Sequence, residues 1–324
     1  MIYQAGKRAI ERLYFIKYNF LITLMNINKK KHIIEVWPGP MEGVMKAPFI
    51  QTATKLNLVS RWMTPFFRVT THIPAKKHLD EFLTPFLNTG LPISGQIMGT
   101  DAKLLAETAQ IMLSLGCSEV NFNCGCPSAR VVSGNAGGGA LKNLQTLAGI
   151  IRYLRQNIPE GKFSIKSRIG YDRLQTDDVL HTLIAYGQPD RLTIHCRSVK
   201  ELYQPVADKE NRFEKIINFT KSINSKQPFL ILNGDIDSVE FAKKLVQKTG
   251  NCGIMCARPW MSDPGLLKRI EGEQVADKEV LREMFFETFK TFNSAAGASL
   301  EVARMLWGVN SEQFKQQLNC KHTE

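Results

Sequence analysis

Short strand-like runs at 33–37, 62–69, 93–98, 119–123, 163–168, 191–196, 229–232 and 253–256 alternate with longer stretches of different periodicity. In those stretches apolar residues recur every three or four positions, as in Leu105, Ala109 and Met112, or Leu144, Leu147, Ile151 and Leu154. The first pattern is that of buried strands, the second of helices with one apolar face. Eight strands in strict strand–helix order predict an α/β fold, a (β/α)8 TIM barrel with a parallel sheet. An open doubly wound sheet fits less well, because no Gly-x-Gly-x-x-Gly follows the first strand. Asp101, Asp177 and Asp237 stand near helix starts and are expected to cap them. After position 270 the pattern is helical only, with 280–292 and 300–307 as helices. The expected organisation is a basic N-terminal extension (1–32), a barrel (33–272) and a short all-helical C-terminal domain (273–324).

Composition narrows the class without changing that outline. The 324 residues are 44% apolar and 22% charged, as in soluble globular proteins. No apolar run approaches the roughly 18 residues that a membrane-crossing helix needs, so no membrane association is expected. The seven cysteines are odd in number and mostly lie in apolar segments, which suits reduced thiols in a cytoplasmic protein. Net charge is +12, but residues 1–31 hold seven Lys/Arg against Glu11 alone, half of the total. The basic remainder suits a polyanionic partner, since Lys and Arg neutralise phosphates and release counterions. Within the extension, the apolar stretch 13–25 is interrupted by Lys17 and lacks a small-residue cleavage site. A basic tail, or a start codon assigned too far upstream, is the better reading than a secretion signal. The protein is expected to be a monomer.

Barrel enzymes do chemistry at the C-terminal ends of their strands. Those ends carry Met41, Glu42 and Gly43; Arg68; Gln96; Asn123 with Cys126; Lys166 and Arg168; His195 and Arg197; Asn233, Gly234 and Asp235; Ala257 and Arg258. Each has an ordinary structural reading taken singly: Lys166 snorkelling from an edge, His195 satisfied in the core, Asn-Gly-Asp as a turn, Cys126 as a buried thiol. Together they line one mouth with amides, cations and a thiol. A thiol with a reference pKa of roughly 8.5 can deliver a proton to carbon near neutral pH. A flavin ring needs an amide at its pyrimidine edge, for which Gln96 is placed, and a cation near N1 and O2, for which Lys166 is placed. The loops with Asn233-Gly234 and Ala257-Arg258 are where a barrel cofactor's phosphate rests. No metal site is expected, because the Cys124/Cys126 pair lacks a second pair of ligands.

These residues resemble the tRNA-dihydrouridine synthases, and among them the bacterial C type. The resemblance is carried by Pro40-Met41-Glu42-Gly43-Val44, Gln96-Ile97-Met98-Gly99, Asn121-Phe122-Asn123-Cys124-Gly125-Cys126-Pro127-Ser128 and the glycine loop 133–141. It continues through Ile165-Lys166-Ser167-Arg168-Ile169-Gly170, Leu192-Thr193-Ile194-His195-Cys196-Arg197, Asn233-Gly234-Asp235 and Ala257-Arg258, over about 33–270. It implies reduction of the C5=C6 bond of a tRNA D-loop uridine, at position 16 for the C type, by reduced FMN with NADPH as electron source. Hydride would go to C6 and Cys126 would protonate C5 as general acid. Pro40, Met41, Glu42, Gln96, Lys166, His195, Asn233, Gly234, Asp235, Ala257 and Arg258 would hold FMN. Arg68, Asn123 and Arg168 would contact the uridine or nearby RNA. Three positions depart from the family pattern: Cys196 and Ala257 replace glycines, and Asp235 replaces the C type's glutamate. Two other readings remain, an FMN barrel acting on a free pyrimidine with the thiol as base, and a barrel that binds RNA without turnover.

Overall fold

The computed structural model describes residues 34–293 and 295–321; the extension 1–32 lies outside them. Its strands are β1 (Val36–Pro38), β2 (Trp62–Met63), β3 (Phe67–Arg68), β4 (Ile93–Met98), β5 (Glu119–Cys124), β6 (Phe163–Arg168), β7 (Arg191–His195), β8 (Phe229–Asn233) and β9 (Gly253–Cys256). All pair in parallel, in the order β1-β9-β8-β7-β6-β5-β4-β2, with β3 also on β4. The two ends of that order, β1 and β2, lie alongside each other, so the barrel is nearly closed.

The single strand expected over 62–69 is interrupted. Trp62 and Met63 pair with Ile93 and Ser94, whereas Phe67 and Arg68 pair with Ile97 and Met98. Four steps on one side face three on the other, which is a one-residue bulge. Pro65 lies within it, and a proline has no N–H to give to the ladder. The bulge changes which side chains face which way beyond it. Phe67 packs outward on Phe82, ring centroids 5.3 Å apart, and Phe66 faces the barrel mouth.

Alternation along the other strands separates two environments. Ile93, Ile97, Val120, Phe122, Phe163, Ile165, Leu192, Ile194, Leu230 and Leu232 belong to the core shared with the surrounding helices. Burying a side chain such as Phe122 contributes about 2–3 kcal/mol. The barrel interior is apolar on one side, with Trp37, Met63, Ile231 and Met255 packed together. On the β4–β6 side it is polar, with Ser94, Gln96, Glu119, Asn121, Asn123 and Ser164 all buried. At its N-terminal end Glu119 binds Arg191 (3.0 Å), and Glu35 binds both Arg191 (3.3 Å) and Arg61 (3.0 Å).

Asp101 caps its helix as expected, accepting the amides of Lys103 and Leu104 at 2.9 and 3.0 Å. The other two caps differ. Asp177 lies inside the first turn of the helix Thr176–Gly187, where a carboxylate suits the helix dipole. Next to Asp237, Ser238 is the cap and accepts the Phe241 amide at 3.2 Å. Three helices end the chain, Lys278–Phe292, Ala296–Trp307 and Glu312–Lys321; the last was not anticipated, since Phe314 and Leu318 give it too narrow an apolar stripe. The first packs on Ala47–Lys55 through Phe49 and Phe285, 5.2 Å apart, and Trp260 joins Phe49 to Trp62. Barrel and terminal helices thus share one hydrophobic core.

Candidate active site

At the C-terminal ends of the strands a cleft of about 660 Å³ opens above the polar half of the barrel. Its floor is a hydrogen-bond ladder running up through β4, β5 and β6. Glu119 accepts from Ser94 (2.8 Å) and Ser164 (2.9 Å), Asn121 donates to Ser164 (2.9 Å), Gln96 donates to Asn121 (2.9 Å), and Asn123 donates to Gln96 (2.8 Å). Paired polar groups of this kind can be buried without the penalty that unpaired ones incur.

The ladder ends at the thiol. Asn123 Oδ1 accepts the backbone amides of Gly125 and Cys126, both at 3.0 Å, fixing the turn that leaves β5. Behind the turn runs the glycine loop, whose Gly138 amide donates to the Cys126 carbonyl at 2.9 Å. A Cβ at Gly137, where φ is +51°, would come within 3.1 Å of Cys126 Cβ, and one at Gly138 within 2.8 Å of its carbonyl oxygen. Only glycine permits this approach. Cys126 is half-buried, and burial pushes its thiol up, against the opposing effects of the Ser128 backbone, Lys166 and Arg168. It therefore holds its proton at neutral pH.

Parallel register sets the cations beside it. Lys166 pairs with Asn123 on one side and Thr193 on the other, Arg168 with His195, and His195 with Asn233. Burial lowers the Lys166 ammonium to about 8, helped by Arg168, so that charge is only partly lost near neutrality. His195 is half-buried and held well below its ordinary value by desolvation and four neighbouring cations, hence neutral. Arg168 is spent inside the protein, since Nη1 donates to the carbonyls of Ser198 (2.7 Å) and Leu202 (2.8 Å). Its guanidinium lies 5.5 Å from the Tyr203 ring.

The loops after β8 and β9 complete the mouth. Asn233 Nδ2 donates to the Met255 carbonyl at 2.9 Å, and Gly234 and Asp235 follow with φ of +118° and +49°. Asp235 bridges two arginines: the fully buried Arg197, and Arg258 at 2.9 Å. Arg258 also faces Tyr203, 5.2 Å from its ring. Ala257 fits because its methyl group faces Gly39.

Of the residues anticipated from sequence, Pro40, Met41, Glu42, Gln96, Asn123, Cys126, Lys166, Arg168, His195, Asn233, Gly234, Asp235, Ala257 and Arg258 line this one cleft. Arg68 does not; it is exposed on β3 beside Gly134 of the glycine loop. Phe66, Leu202 and Tyr203 line the cleft and were not anticipated. Tyr203, 56% exposed, was hidden in a polar loop with no strand or helix period to single it out. A flavin fits the residues present. His195 Nδ1 is buried with no hydrogen-bond partner among the described residues, Lys166 supplies a cation, and the Gly234 turn leaves backbone free to approach an anion.

Solved structures share this fold. The old yellow enzyme homologue of Zymomonas mobilis superimposes with a TM-score of 0.51 at 12% identity, over 78% of this chain and 92% of that one. Morphinone reductase gives 0.51 at 10%, over 78% and 90%. The sequence model of the dihydrouridine synthases matches residues 38–306, and the chain belongs to that family. Membership carries dependence on a flavin. Among curated relatives, the tRNA-dihydrouridine(16) synthase of Haemophilus ducreyi is 28% identical over 283 residues, 85% of either chain. That of Pasteurella multocida is 27% identical, over 79% of this chain and 83% of its own. Among the described residues no cluster of metal-binding side chains occurs, and no helix is long and apolar enough to cross a membrane.

Proposed function

We propose that this chain reduces the uridine at position 16 of the tRNA D-loop to 5,6-dihydrouridine, with FMN as the flavin and NADPH as its reductant. The observation that carries the reading is the placement of the Cys126 thiol, pinned by Asn123 at a cleft that Lys166, His195 and Arg258 also enter. Position 16 rests on the relatives named for it. When bound, the reduced flavin supplies the hydride equivalent that uracil C6 receives. The protein's own part is to bind, orient and protonate. Lys166 offers a positive charge to a developing anion at the flavin's pyrimidine edge, and Arg258 with the Gly234 turn offers donors to a phosphate. Cys126 gives its proton to uracil C5 as general acid and, being half-exposed, regains one from solvent. The target base must leave its stack to reach the cleft, at a cost of a few kcal/mol. Phe66, Leu202 and Tyr203 present apolar surface to it there. Residues of one chain line the cleft, which suits a monomer, and the six described cysteines are free thiols, which suits the cytoplasm. The test is dihydrouridine mapping in tRNA from a strain lacking the protein. Loss at position 16 alone, restored by this chain, is expected; intact position 16 would overturn the assignment.

A further inference from the structure

Three loops on the mouth side converge beside the Cys126 turn. Lys142 ends the short helix of the glycine loop, Tyr171 follows β6 and Lys200 follows β7. The ammonium of Lys142 lies 5.1 Å from the centroid of the Tyr171 ring and that of Lys200 lies 5.7 Å from it, so two cations flank one ring. Backbone fixes the arrangement. The Lys200 amide donates to the Tyr171 carbonyl at 2.9 Å, the Val199 amide to Gly170 at 2.9 Å, and Gly138 ties the glycine loop to Cys126 at 2.9 Å. Lys142 Nζ is steadied by the Val132 carbonyl at 3.3 Å.

Both lysines are exposed, and neither has a carboxylate partner among the described residues. Some lysines on the outer helices are paired, Lys215 with Asp177, Lys244 with Glu210 and Lys248 with Glu214. Tyr171 is half-buried, and its hydroxyl has no hydrogen-bond partner among the described residues. Two uncompensated cations about an aromatic ring repel each other until an anion arrives, and the ring offers a face on which a base can stack.

We infer that Lys142, Tyr171 and Lys200 form a binding site for the RNA strand flanking the target uridine. The two ammonium groups take phosphates of that strand, and the ring takes a base or ribose face. Two cations on one ring suit a polynucleotide better than a free nucleotide with a single phosphate group. The inference rests on the reading of tRNA as substrate.

The experiment is tRNA binding by the flavin-loaded full chain across a salt series, for the wild type, Lys142→Gln, Lys200→Gln, the double variant and Tyr171→Leu. Each lysine substitution is expected to reduce the slope of log K against log salt by about 0.7–0.9. The double variant should bind roughly tenfold or more weakly at moderate salt, because it loses two phosphate contacts. Tyr171→Leu should weaken binding with little change of slope, and flavin content should be unchanged throughout. A double variant with wild-type slope and affinity overturns the site while leaving tRNA as substrate. A wild type that binds no tRNA overturns the substrate reading, and the site with it.

Discussion

The side-chain carbonyl of Asn123 accepts the backbone amide of Cys126 at 3.0 Å, so the residue that ends the buried polar ladder also aims the thiol. Asn123→Ala removes that anchor and leaves the Gly125 and Cys126 amides unpaired at the turn. Uridine reduction in a single turnover is expected to slow by about 10- to 100-fold, as for a misplaced reacting group. Flavin affinity should stay within about threefold, because the anchor does not hold the cofactor. An unchanged rate would mean that the glycine loop alone positions Cys126.

Lys166 places a functional charge where burial disfavours it. Its folded value of about 8 lies below the unfolded one of about 10.4. Between those values the unfolded chain binds more protons, so the stability of the flavin-free protein should rise with pH across that window. Lys166→Met removes the cost, and an increase of on the order of 1–3 kcal/mol at pH 7 is expected from denaturant unfolding. The same variant should lose most of its flavin affinity. A destabilised Lys166→Met protein would show that the lysine is held by interactions stronger than its desolvation.

The raised Cys126 thiol separates an acid from a base. A proton donor works while the thiol is protonated, up to its folded pKa, which lies above the ordinary thiol range. Single-turnover uridine reduction should therefore hold level through neutral pH and fall as alkaline pH removes the proton. A rate that climbs from pH 7 to pH 9 would indicate a working thiolate, as in enzymes that use a cysteine as base on free pyrimidines.

Asp235 neutralises the fully buried Arg197 and orients Arg258. Asp235→Asn leaves Arg197 uncompensated, and a loss of about 2–4 kcal/mol is expected in chemical denaturation. Weaker flavin binding should accompany it, since Arg258 loses its guide. A change under about 0.5 kcal/mol would show that the Gln204 carbonyl, 2.8 Å from Arg197 Nε, suffices to hold it.

The sequence carried the strand order because seven of the eight runs fold as uninterrupted strands, and a helical stretch between strands admits few topologies. The strand-end residues follow from that order, which is why Cys126, Lys166, His195 and Arg258 meet in one cleft. What escaped depends on tertiary structure. The bulge at Pro65 brings in Phe66 and leaves Arg68 outside the cleft, and only pairing with β4 shows it. The engagement of Arg168 by Ser198 and Leu202 spans 30 and 34 residues and has no local signal. Tyr203 enters the mouth on a loop clasped by Arg168, Arg197 and Arg258, which no periodicity marks.

The central claim is that Cys126 delivers the proton to uracil C5. It is tested most directly by pre-reducing the flavin of Cys126→Ala, adding tRNA that lacks dihydrouridine, and following product formation and flavin reoxidation together. The expected result is a folded protein, yellow before reduction, that binds tRNA and forms dihydrouridine at least about 100-fold more slowly than the wild type, in keeping with the loss of a general acid. Formation at the wild-type rate would contradict the assignment and move the proton donor to another group in the cleft.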